Sequence, residues 1–123
     1  MKEIHLHEGE LNVMELLWSN QTLTAKDIAK IVAEYVGWKK NTTYTVINRL
    51  IEKGAITREE PGFLCKAAIS KNEVQLFETE TLIEQLYDGS IQFFLETFLM
   101  EQELSQNDIA VLKEIILKNG RKE

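Results

Sequence analysis

The sequence predicts a mainly α-helical fold with a small β-hairpin, and three observations carry that expectation. Residues 24–36 and 37–54 each place apolar side chains at three-and-four spacing and meet at Gly37, the pattern of a helix-turn-helix. The period then switches after Gly54, where two extended-looking runs flank Glu60-Pro61-Gly62 and read as a hairpin, or wing, directly after the second helix of the pair. Beyond it, seven of the ten residues in 91–100 are apolar, too many for a helix with a single buried stripe. The expected architecture is a winged helix-turn-helix over residues 1–69 followed by a helical dimerisation domain over residues 70–123.

The first helix is expected over residues 6–18, with Leu6, Glu10, Val13, Met14, Leu17 and Trp18 on its inner stripe. His5 and His7 alternate just before it. A His-x-His pair binds metal only where further ligands converge, so both are read as solvated and receive no role. The second helix opens on Thr24 with Asp27 three residues later, a box in which side chains satisfy free backbone amides. Ile28, Ile31, Val32 and Tyr35 form its expected buried stripe, and Gly37 ends it.

The third helix carries the chemistry. Thr43, Val46, Ile47, Leu50 and Ile51 gather on one side, while Asn41, Thr42, Thr45, Asn48, Arg49 and Glu52 project from the other. Hydroxyls, amides and a guanidinium on an outer face, with Lys39 and Lys40 upstream, suit base edges and phosphates. Asn41, Thr42 and Thr45 on the N-terminal turns are the candidate base readers, and Lys39, Lys40 and Arg49 the candidate phosphate contacts. Tyr44 lies at the shoulder of the wheel, about 90° from the core centre, where it can pack on the wing. In the wing itself Arg58 and Lys66 can reach phosphate, although Glu59 and Glu60 at the tip oppose it, so the hairpin is read as mainly structural with Arg58 a candidate contact. Cys65 reads as a small apolar strand residue.

A second box, Ser70 with Glu73, starts a helix expected to run to about Asp88-Gly89. The apolar run 91–100 follows, and a last helix opens on Ser105 with Asp108. Three such helices, too apolar to stand alone, read as a dimerisation unit, with Phe77, Leu86, Ile91, Phe94, Leu95, Phe98, Leu99 and Leu112 as candidate interface residues. The competing reading is a second small domain that folds on itself.

The formal net charge of -6 argues at first against a nucleic-acid partner, but its distribution reverses that. Up to Ile69 there are nine basic and nine acidic residues, and from Ser70 onward five against eleven. Between Lys39 and Arg58 five basic residues face Glu52 alone, a modest positive footprint that suits weak DNA binding by each of two protomers. One cysteine excludes an intramolecular disulfide or a thiolate metal cluster, and no cofactor or metal is expected. No apolar run approaches the roughly 20 residues that span a bilayer, and no signal segment is apparent at the N-terminus, so a cytoplasmic location is expected. No nucleophile–base pair or glycine-rich phosphate loop supports an enzyme. The rival function is a winged-helix module for protein contact without DNA binding.

Leu6, Glu10, Val13, Met14 and Trp18, then Leu23-Thr24-Ala25, Gly37-Trp38, Thr42, Thr45, Arg49-Leu50 and Lys53-Gly54 resemble the BlaI/MecI/CopY family of bacterial repressors. The resemblance covers nearly the whole chain. It implies a winged-helix homodimer that binds double-stranded DNA at a palindromic operator and represses a resistance or stress-response operon. It places base reading on Asn41, Thr42, Tyr44 and Thr45, with Lys39 and Arg49 near phosphates. Lys40 stands where the family often has proline, and Tyr44 where it often has a long polar or basic side chain. The tail has no cysteine, which excludes copper control through thiolates. Members released by proteolysis are cut at an Asn-Phe bond that aligns with Thr97-Phe98 here.

Overall fold

A computed structural model describes residues 4–120, in which six helices and three strands follow one another as α1 (Glu8–Ser19), β1 (Thr22–Thr24), α2 (Ala25–Tyr35), α3 (Lys40–Glu52), β2 (Ile56–Glu59), β3 (Leu64–Ala67), α4 (Lys71–Leu86), α5 (Ile91–Met100) and α6 (Gln106–Asn119). Two compact units result, one ending at Leu82 and one beginning at Ile83. The first therefore takes in the opening turns of α4 as well as the winged module.

Helix starts follow the boxes read from sequence. Thr24 accepts the Asp27 amide at 3.1 Å, and Ser70 and Ser105 each accept the amide three residues on while Glu73 and Asp108 return the bond. Gly37 and Gly54, at φ of 81° and 82°, take the left-handed conformation that closes α2 and α3. The Gly37 amide reaches back to the Val32 carbonyl and the Ala55 amide to that of Leu50, so a backbone bond closes the end of each helix.

The core of the first unit sits where α1, α2 and α3 converge on β3. Val13, Met14, Leu17, Ile28, Val32, Ile47, Leu50 and Cys65 are essentially inaccessible. Each such aliphatic side chain removed from water stabilises the unit by about 1.5–3 kcal/mol before entropy is counted. Trp18 extends the seam, its indole donating to the Ile69 carbonyl at 3.0 Å and so tying α1 to the chain leaving β3. Burial pushes the Cys65 thiol up to about 11, despite the lowering effect of Arg58, so it is a protonated packing group.

Three details depart from the sequence expectations. The hairpin gains a third strand, since β1 pairs antiparallel with β3 (Thr22 opposite Lys66, Thr24 opposite Leu64) and gives the sheet order β1-β3-β2. The first helix begins at Glu8, not Leu6; Leu6 is still buried, but from an extended lead-in. Tyr35, the last residue of α2, is 82% exposed, because between it and α1 lies an open cleft lined by Asn12, Glu15 and Ser19 instead of packed side chains.

In the second unit Asp88 and Gly89, at φ of 53° and 74°, turn the chain after α4, and Ser90 caps α5 by accepting the Phe93 amide. No residue of α5 or α6 is buried. Among the described residues no helix is long and apolar enough to cross a membrane.

Candidate nucleic-acid interface

Helix α3 is seated by Thr43, Val46, Ile47 and Leu50, all buried, so its opposite side is fixed outward. Asn41, Thr42, Thr45, Asn48 and Arg49 are exposed there, as are Lys39, at the N-cap position without a capping side-chain bond, and Lys40. No acidic side chain lies in the first turn, so the positive end of the helix dipole adds to the two lysines. The Thr45 hydroxyl donates to the Asn41 carbonyl one turn back at 2.9 Å, which links these two candidate positions.

The shoulder and wing form one stack. The Tyr44 ring meets the Phe63 ring edge to face at 5.8 Å and 82°, Lys40 lies 5.7 Å from the Tyr44 centroid, and the Arg58 guanidinium lies 3.6 Å from the Phe63 centroid. Arg58 Nε also donates to Glu60, and that bond, with the Phe63 amide, holds the Glu60 carboxyl below the usual carboxylate range. The wing-tip cation is thus engaged within the hairpin, whereas Lys66 on β3 is exposed. Of the two roles open to Tyr44, the geometry displays wing packing.

Charge pairing sharpens the positive footprint. Lys53 is bound by Glu10 and Arg58 by Glu60, while among the described residues Lys39, Lys40 and Arg49 enter no ion pair. The uncompensated cations therefore bracket the polar face of α3.

The Glu10–Lys53 pair was not anticipated. Lys53 Nζ stands 2.6 Å from Glu10 Oε1 and 3.0 Å from the His5 carbonyl, and Glu10 is 1% exposed. Burial pushes the Glu10 carboxyl up, but the His7 amide and the Lys53 ammonium more than offset this and hold it below its ordinary value. The available signal was a carboxylate inside the apolar stripe of the first helix, a position that demands a partner.

The candidate self-association residues divide. Phe77 belongs to the first unit, where it lines a small cleft with Ile4, Ile69 and Val74. In the second unit Phe94 stacks on Phe98 at 5.8 Å and meets Tyr87 edge-on at 5.1 Å. Ile91, Leu95 and Leu99 line an open apolar groove of about 880 Å³ together with Met100 and Ile116. Leu86 is 68%, Ile91 65% and Phe98 48% exposed, while Phe94, Leu95, Leu99 and Leu112 are half-buried.

Comparisons with known proteins agree with this geometry. A family model described as penicillinase repressor matches residues 6–118. The penicillinase repressor of Bacillus licheniformis is 27% identical over the full length of both chains. The solved DNA-binding domain of the repressor BlaI superposes with a TM-score of 0.54 at 28% identity, covering 59% of this chain and 93% of that one. The Bacillus licheniformis BlaI monomeric form, solved in complex with the blaP half-operator, gives 0.53 at 26% identity over 58% and 90% of the two chains.

Proposed function

The chain belongs to the penicillinase repressor family, and from that premise we propose that it is a cytoplasmic DNA-binding transcriptional repressor that acts as a homodimer on a palindromic operator of a resistance or stress-response operon. The observation that carries the reading is α3: a helix locked by four buried residues, with amides and hydroxyls outward on its first turns and, at Lys39, Lys40 and Arg49, cations that enter no ion pair among the described residues. In this reading Asn41, Thr42 and Thr45 read base edges in the major groove, the cations hold phosphates, and Tyr44 supports the wing. Residues 1–69 bind DNA and residues 70–123 dimerise. The apolar surface of α5 and α6, without a buried residue of its own, supports a second copy as its cover.

The test is to select duplexes from a random-sequence pool on the purified protein and to footprint the product. The expected outcome is an inverted repeat with half-sites about one helical turn apart or slightly more, bound with a steep salt dependence. Retention of no duplex at low salt would favour the protein-contact module instead, and equal protection of a single half-site would remove the dimeric operator.

A further inference from the structure

We propose that Glu10 and Lys53 are positioning residues for DNA recognition, setting the tilt of α3 from its C-terminal end without touching DNA. This rests on the DNA-binding reading above. The proposed readers lie at the opposite end of the helix, Asn41 to Thr45, and the apolar contacts of Val46, Ile47 and Leu50 decide which face is buried without directional bonds. Direction comes from Lys53. Its ammonium is held between Glu10 Oε1 at 2.6 Å and the His5 carbonyl at 3.0 Å.

Both anchors are themselves fixed. Glu10 Oε1 also accepts the His7 amide at 2.8 Å, and Glu78 of α4 takes the Leu6 amide at 3.2 Å and His5 Nδ1 at 3.0 Å. The lead-in ribbon of residues 5–7 thus joins α1, α3 and α4 around one ammonium.

Stability alone does not account for this arrangement. Among the described residues the buried Glu10 Oε2 has no hydrogen-bond partner, whereas an apolar side chain of similar volume would place no polar atom there. Replacing buried ion pairs with apolar groups is often neutral or stabilising, so what the pair supplies is orientation. The lever is long: at 1.5 Å per residue Asn41 stands roughly 18 Å from Lys53, and a tilt of about 5° at the tether moves it by about 1.5 Å, enough to break a base contact.

The test uses the full chain, a duplex recovered on the wild-type protein and a scrambled duplex of equal length. The double variant Glu10→Gln/Lys53→Met keeps volume and net charge. Its expected behaviour is a folded protein of modestly lowered Tm, an affinity for the recovered duplex lowered about tenfold, and unchanged scrambled-DNA binding and salt slope. Lys53→Arg, which retains a cation for Glu10, restores most of the selectivity. Unaltered affinity for the recovered duplex in the double variant overturns the proposal. So does an equal loss on both duplexes with a slope smaller by about one, which would make Lys53 a phosphate contact. Should the double variant melt too low to assay, Glu10→Gln alone is read by the same criteria. If the wild type recovers no duplex, it is the DNA reading that fails. Amide exchange in α3 then decides the tether: faster exchange in the variant supports it, and an unchanged pattern removes it.

Discussion

Lys53, at the C-terminal end of α3, closes on Glu10 in the first turn of α1, across 43 residues of sequence and a gap of 2.6 Å. The bond ties the first turn of α1 to the C-terminal end of α3, the end opposite Asn41. It also gives the protein a pH-dependent element. Because the folded state holds the Glu10 carboxyl below its ordinary value of 4.5, its contribution is full above that pH and is lost as pH falls through the lowered folded value. The Tm of the wild type is expected to drop more steeply below pH 4.5 than that of Glu10→Gln. Parallel Tm curves for the two proteins would show that the carboxylate carries no such linkage.

Tyr44 separates packing from reading. Its ring faces Phe63 edge-on, an arrangement worth about 0.5–1.5 kcal/mol. Tyr44→Phe should leave both DNA choice and Tm unchanged, whereas Tyr44→Ala should lower Tm together with affinity. A shift of sequence preference in Tyr44→Phe at constant Tm would mean that the hydroxyl reads a base.

Asn41, Thr42 and Thr45 differ from Lys39, Lys40 and Arg49 in what they are expected to discriminate. Alanine at any of the first three should cost about 1–3 kcal/mol on the selected duplex and little on unrelated DNA. Alanine at any of the cations should weaken all duplexes alike and reduce the salt slope by about one unit. Titrations at several salt concentrations check both, and a cation variant that loses selectivity alone would reverse its assignment.

A charge placed in the apolar face of the second unit should separate protomers. Phe94→Asp and Leu99→Asp are expected to give monomers or insoluble protein, read by sedimentation. Soluble dimers in both variants would move the interface elsewhere.

Cys65 should be chemically silent in the folded protein. With its thiol raised to about 11 by burial, alkylation at pH 8 is expected to be negligible until denaturant is added. Rapid labelling of the native protein would show that the sheet opens at β3.

What the sequence revealed was what neighbours along the chain decide. The caps at Thr24, Ser70 and Ser105, the glycines that end α2 and α3, and the two faces of α3 follow from spacings of three and four residues, and each lies where the pattern places it. Features that depend on distant partners stayed hidden. Thr22–Thr24 is too short to announce itself as a strand and becomes one only because β3 lies alongside. Trp18 is legible as a core residue, but its bond to Ile69 spans 51 residues, and Tyr35 fits the helical wheel yet only borders an open cleft shared with α1. Within the candidate site the outward residues were readable from periodicity. The partners that reshape their roles, Phe63 for Tyr44 and Glu60 for Arg58, were set by the turn of the wing.

The sheet order β1-β3-β2 has one more effect. With β3 in the middle, both margins of the sheet are poor templates for another strand: β1 offers only three residues, and β2 ends on Arg58 and Glu59, exposed and oppositely charged. Short and charged margins are how folded proteins discourage strand addition and aggregation. Copies at high local concentration are therefore poorly disposed to knit their wings into a common sheet.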